Sequence, residues 1–209
     1  MGQGSYTICE WDSIKKEYPD WQRTLAELEA RVIAKCDKDW APKTFGGLTP
    51  SSEQYGRTTI LPALFDDHNG VQMVHWRQFL TAAGHQTLIT GMGAGHVLPK
   101  NFKVAWMGLM LPNKQQHLTE IRMQISDGKY GRINLEEIHS YNKPAIVFEE
   151  GFLLNEKAGF ELYGYVEGPI PRDHEGRLGF YQSIIMLGSA YYEVIDRVLG
   201  PPGAAITEE

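Results

Sequence analysis

Apolar and polar residues alternate with a period of two over Thr119–Ile125. Ile121, Met123 and Ile125 fall on one side, and Glu120, Arg122 and Gln124 on the other. That is the pattern of a half-buried strand. Gly159–Glu167 repeats it, with Phe160, Leu162 and Val166 opposite Glu161, Tyr163 and Tyr165. Val104–Leu111 and Ile184–Leu187 lack the polar half. They predict strands covered on both faces, in an oligomer or beneath a helix. A helical period governs residues 20–37: Trp21, Leu25, Leu28 and Val32 recur at spacings of four, three and four, with Asp20 placed as N-cap. This stripe must bury against its own domain or against a neighbouring subunit. Ala190–Leu199 fits helix and strand, and the β-rich Tyr-Tyr-Glu-Val-Ile run favours a last strand.

Turn signals punctuate the strand-like runs. Asn69-Gly70 lies between Thr58–Phe65 and Val71–Phe79, and Asp127-Gly128 between Thr119–Ile125 and Tyr130–Leu135. Asn155–Gly159 separates Ile146–Leu154 from Phe160–Val166, and Pro169–Gly176 precedes Leu178–Leu187. Asn-Gly and Asp-Gly accept positive φ at both central turn positions, so they join antiparallel strands tightly. If Gly128 takes positive φ, Gly128→Val strains its hairpin. The pattern predicts a mainly β fold, an antiparallel sandwich or barrel, with one N-terminal amphipathic helix. Residues 1–57 read as an arm, that helix and a Gly/Pro-rich loop; 58–199 as the β domain; 200–209 as a tail.

The 209 residues suffice for one domain, and 42% hydrophobic content excludes global disorder. A net charge of −6 argues against nucleic acid and against an anionic membrane surface as partners. Cys9 and Cys36 are too few for a disulfide framework and read as free thiols, with a bridge between them left open. No basic start followed by an apolar run is visible, so a protein made in the cytoplasm without a signal peptide is expected.

Chemistry is harder to find. Gly91–His96 invites a phosphate-loop reading, but His96 stands where the dinucleotide fingerprint needs Gly and Pro99 interrupts the following helix. Asp66–Gly70 resembles part of a calcium loop out of register, and a hairpin turn explains it better. The seven histidines show no His-x-His or His-x-x-x-His pair, so no cupin-like ligand set forms. A metal site assembled from distant segments stays open. No Gly-x-Ser-x-Gly elbow occurs, and neighbours within Glu136-Glu137 or Glu149-Glu150 would point to opposite faces of a strand. No catalytic residue, no cofactor, no intrinsic transition metal and no hydrolase activity are expected. Tyr163 and Tyr165, opposite the apolar face of their strand, are candidates for a second packing layer, a subunit contact or sugar stacking.

The order of helix arm, Gly/Pro loop, single β domain from Thr58 to Leu187 and arm-like ends at Met1–Tyr18 and Gly200–Glu209 resembles single-jelly-roll virion proteins: capsid, cement or decoration subunits. The resemblance implies a jelly-roll-like sandwich and a self-assembling structural role without catalysis. It also implies a homo-oligomer clasped by its arms, with other structural subunits as further partners. The interface candidates are then Trp21, Leu25, Leu28, Val32, Tyr163 and Tyr165. Two alternatives stay open: a carbohydrate- or small-ligand-binding sandwich module, and an enzyme with a site scattered over a β-barrel.

Overall fold

The computed structural model describes residues 6–9, 20–40, 55–112, 117–136, 138 and 144–193. Helix α1 spans Trp21–Asp39. The strands are β1 Tyr6–Cys9, β2 Tyr55–Thr59, β3 Arg77–Leu80, β4 Gly84–Thr90, β5 Phe102–Met110 and β6 Leu118–Ile125. Then come β7 Gly128–Lys129, β8 Ile133–Asn134, β9 Ala145–Leu154, β10 Phe160–Val166, β11 Phe180–Ser183 and β12 Ile185–Glu193. One sheet runs β1-β9-β5-β12-β2; the second runs β4-β10-β6-β7, with β8 also on β6; β11 and β3 form a separate ribbon. All pairings between these strands are antiparallel.

The interleaving is that of a jelly roll. Take β2, β4, β5, β6, the interrupted β7/β8, β9, β10 and β12 as first to eighth. The first sheet is then first-eighth-third-sixth and the second is second-seventh-fourth-fifth. Chain neighbours thus sit mostly in opposite sheets, which closes a sandwich around one core. Trp106 lies at its centre, with ring centroids of Phe148, Phe160 and Phe152 at 4.9, 5.3 and 5.6 Å. Its indole N–H donates to Gly108 O at 2.7 Å, so the buried polar atom is satisfied.

The two alternating segments are β6 and β10, side by side in the second sheet, with one face on the core. The doubly apolar run is β5, and the structure shows what covers it. Val104 and Trp106 face the sandwich core, while Ala105 and Met107 join a second cluster with Trp21, Leu28, Val32 and Cys36 of α1. The helix lies across the outside of the first sheet. Leu28, Val32 and Cys36 are wholly buried and Trp21 nearly so, while Leu25 is half-buried at the margin. Full burial of Leu28 and of Val32 contributes about 1.5–3 kcal/mol each. The interface assignment of Trp21, Leu28 and Val32 is therefore corrected: their surface is consumed within their own chain.

Three turn expectations also change. Asn69-Gly70 does turn, with Gly70 at φ 71°, but it closes only the isolated Asp66–Gln72 bridge. Thr58–Phe65 is strand only to Thr59, followed by a 3-10 turn at Pro62–Leu64, and the Val71–Phe79 run becomes strand only at Arg77. Leu178–Leu187 divides at Ile184 between the ribbon and the first sheet. The hairpin expected at Asp127-Gly128 is shifted back by one residue. Gln124 pairs Lys129 and Ile125 pairs Gly128, so Ser126-Asp127 is the turn, and Ser126 takes φ 51°. A positive φ at the first central position is the type II′ pattern, which glycine fits best. We expect Ser126→Gly to stabilise the fold by about 0.5–1 kcal/mol. Gly128→Val meets no positive-φ strain, but its Cβ would stand 3.2 Å from Ile125 O, so a cost of up to about 1 kcal/mol is expected. Urea midpoints of the two variants check this.

Two polar clasps fix α1 to the sheet. Glu29 Oε1 accepts from Arg57 Nη2 at 2.6 Å and from Ser189 Oγ at 2.5 Å, joining helix, β2 and β12. At the helix C-terminus, Lys103 is fully buried. Its Nζ sits 3.2 Å from Asp39 Oδ2, 3.4 Å from Glu156 Oε1 and 4.1 Å from the Trp40 ring centroid. Asp20 occupies the expected N-cap position, but its carboxylate ion-pairs with Arg23 at 3.3 Å and makes no cap hydrogen bond. Cys36 is a free thiol, and burial, ahead of all other causes, pushes its pKa up to about 12. A buried neutral thiol of this kind acts as a small apolar side chain. Ala190–Glu193 complete β12; residues 194–199, the tail 200–209 and most of the first arm lie outside the described residues. No helix among the described residues is long and apolar enough to cross a membrane.

Candidate functional site: a polar cleft beside the ribbon

The long β2–β4 connection packs alongside β4. Asp66 bridges Thr90, and Gln78 Nε2 donates to Leu88 O at 2.8 Å. Leu64, Phe65, Met73 and Leu80 anchor it in the sandwich core. Strand β3 emerges from this connection and pairs with β11, so Tyr181 lies opposite Phe79, and Ser183 opposite Arg77. Between the ribbon and the loop lies a cleft of about 550 Å³. Its walls are Asp67–Asn69, Gln72–His75, Arg77–Phe79, Thr81 and Tyr181.

One wall is built by the Asp67 turn. Asp67 Oδ1 accepts the Asn69 and Val71 N–H groups at 2.8 and 3.0 Å, so its carboxylate holds the loop. Neighbouring Asp66 turns elsewhere and accepts the Gly93 N–H at 3.0 Å. The two carboxylates do not converge, which answers the calcium-loop reading of this segment. Among the described residues no group of three His, Cys, Asp or Glu is placed to hold a metal ion.

The buried Gln78 sets the next contacts. Its amide N–H₂ is committed to Leu88 O, so its Oε1 is the acceptor for His68 Nδ1 at 3.1 Å. That assigns the His68 proton to Nδ1 and leaves Nε2 to accept from Asn69 Nδ2 at 3.1 Å. The wall is thus a pre-set row of amide and imidazole groups.

The facing ribbon carries a ladder of cations and rings. Arg177 Cζ lies 5.3 Å from the Phe79 ring centroid, Phe79 and Tyr181 are 4.8 Å apart, and Arg77 Cζ lies 3.9 Å over Tyr181. The two arginines differ in their charge partners. Arg177 pairs with Asp173 at 2.8 Å and Glu175 at 3.0 Å. No carboxylate among the described residues pairs with Arg77, which sits on the cleft wall. Stacking restricts a guanidinium without using its fork of donors, which therefore stay available to an anion.

A second polar cluster lies at the Gly91–His96 loop. Glu161 accepts from the Tyr163 hydroxyl through one oxygen and meets His96 Nδ1 through the other. The Tyr163 bond, then the His96 contact, hold the Glu161 carboxyl below its ordinary range despite burial. Burial, followed by the Glu161 bond, pushes Tyr163 up to about 12. Tyr163 is therefore a protonated donor at neutral pH, and the trio ties the glycine loop to β10. Tyr165 is 39% exposed and packs edge-on against His85, with centroids 5.1 Å apart. Tyr163 and Tyr165 thus occupy the outer face of the second sheet, away from α1, and do not join Trp21, Leu25, Leu28 and Val32 in one patch.

Three of the cleft's central residues, Arg77, Phe79 and Tyr181, escaped sequence reasoning as a group. Arg77 and Phe79 share one face of β3 at positions two apart, a visible signal, but Tyr181 arrives from a strand about a hundred residues later. Comparison with known proteins finds no matching family model, no matching curated protein and no matching solved structure.

Proposed function

We propose that the protein is a self-assembling structural subunit, of the kind that builds or decorates virions. The observation that supports this reading is the jelly-roll strand order combined with apolar residues displayed on its connections. Val74 and Val71 are 84% and 60% exposed on the β2–β4 connection, and Leu178 is 50% exposed on the β10–β11 connection. Exposed aliphatic side chains on loops of a well-packed sandwich contribute nothing to its own core and suit contact with a second copy. Trp21, Leu28 and Val32 are left out of this contact, because α1 spends them on its own sheet. Size-exclusion chromatography with light scattering at micromolar concentration is expected to give a closed homo-oligomer. A monomer throughout that range counts against the proposal.

A second reading, a ligand-binding jelly roll, is favoured by the cleft beside the ribbon. Its volume falls in the range of small-molecule sites, and its lining combines ring faces with convergent polar groups.

A further inference from the structure

We propose that the cleft binds an acidic saccharide, with Arg77 as the anchor for its carboxylate. The inference rests on the ligand-binding reading of the cleft; Val74 of its wall is also assigned to the contact with a second copy, so the cleft must stay open beside that contact.

Arg77 carries the argument. Its guanidinium is held 3.9 Å over the Tyr181 ring, on the wall of a cleft, with no carboxylate partner among the described residues. Arg177, four residues from Asp173 on the same ribbon surface, is matched by two acids. An arginine biased by stacking and left unmatched by an acid has its donor fork available to a bidentate carboxylate, with part of its freedom already restricted. The charge is limited to one site, because Asp67 on the opposite wall is negative and bound into its own turn. With Arg77 at +1 and Asp67 at −1 the cleft carries no net charge, so one carboxylate placed directly at Arg77 is suited and a polyphosphate is not.

The other walls specify what carries the carboxylate. Asn69 and Gln78 are oriented by the His68 relay, and Gln72 is fixed through Nε2 to Ala63 O at 2.8 Å. Gln78 is buried and committed at both ends, but Asn69 and Gln72 each make one side-chain bond and keep further donor and acceptor capacity, which fits vicinal hydroxyls. Phe79 and Tyr181 line the cleft beside them and, with one Tyr181 face under Arg77, offer their remaining ring surface to sugar C–H groups. Hydroxyl partners, ring faces and one cation in about 550 Å³ match a short uronic or sialic acid oligosaccharide.

The test uses ligand-observed saturation-transfer NMR on the full chain. The probes are sialyllactose, a glucuronate-containing hyaluronan tetrasaccharide, neutral lactose and inorganic sulfate. The variant is Arg77→Gln, with its melting temperature measured alongside to show that it folds. At least one acidic sugar is expected to bind and lactose at least about tenfold more weakly, as one charge-assisted pair implies. Arg77→Gln is expected to lose that preference while melting as the parent does. Equal binding of lactose overturns the acidic assignment but leaves a sugar site. Full displacement by sulfate at equal concentration reduces the cleft to a simple anion site and overturns it too. Binding of none of the sugars overturns this inference and the ligand-binding reading together. Undiminished binding by Arg77→Gln overturns the role of Arg77. Should Arg77→Gln fail to fold, Tyr181→Leu serves instead, read against the same sugars with the same expected loss.

Discussion

Gly188→Val is expected to leave no soluble, folded protein. Gly188 lies inside β12, at a bulge where the register against β5 shifts between Leu187 and Gly188. Its φ is 143°, and a Cβ there would stand 1.9 Å from Ala105 O. That atom belongs to the backbone of β5, which β9 and β12 hold from both sides, so it has no room to withdraw. A glycine inside a strand often marks such a close approach. Separating β5 from β12 would open both the sandwich core and the cluster beneath α1. The cost exceeds about 4 kcal/mol, a large part of an ordinary domain's total stability. Expression and far-ultraviolet circular dichroism read the result. A soluble variant with the parent spectrum would show that this strand pair yields more easily than its geometry allows.

The second large effect concerns Lys103. An ammonium group buried without an anion is far costlier than a neutral side chain of similar shape. The double variant Asp39→Ala/Glu156→Ala removes both carboxylates and should lose about 3 kcal/mol, near the lower end for breaking buried pairs because both acids are partly hydrated. Adding Lys103→Met to that variant should recover most of the loss, since the stranded charge is then gone. Chemical denaturation of the three proteins measures both steps. Failure of Lys103→Met to rescue would place the cost in the lost Asn101 N–H bond to Glu156 or in packing against Trp40. Acid should act in the same direction as the double variant. Burial alone would raise the Glu156 carboxyl, but the Asn101 N–H and Lys103 more than offset it and hold it low. Its contribution is thus present above the unfolded-state value and lost as pH falls through the lower folded one. The parent should weaken below about pH 4, and the double variant less steeply.

The contrast between these sites explains how far the sequence was legible. Alternation in β6 and β10 was readable because the second sheet has one covered and one open face. The uniform apolarity of β5 was readable as double coverage, and a helix was one of two covers expected. What no periodicity carries is the partner of a stripe: Trp21, Leu28 and Val32 look alike whether they face Met107 of their own chain or a neighbour. Nothing local marks Lys103 as buried, because the acids that neutralise it lie far away along the chain, at 39 and 156. Asp127-Gly128 misled by one residue, since strand register overrode the local preference and put Ser126 in the strained position. The cleft was the least legible feature, being assembled from a loop, β3 and β11.

The assembly claim turns on which surface meets the second copy, and sedimentation velocity at micromolar concentration tests that most directly. Three proteins are compared: the parent chain, Val74→Glu/Leu178→Glu, and Ala30→Arg/Ala34→Arg on the exposed face of α1. Each must first show the parent's circular dichroism spectrum. The account predicts an oligomer for the parent and for the helix-face variant, and a folded monomer for Val74→Glu/Leu178→Glu. A monomeric parent, or an oligomer dissociated only by the helix-face substitutions, would contradict it.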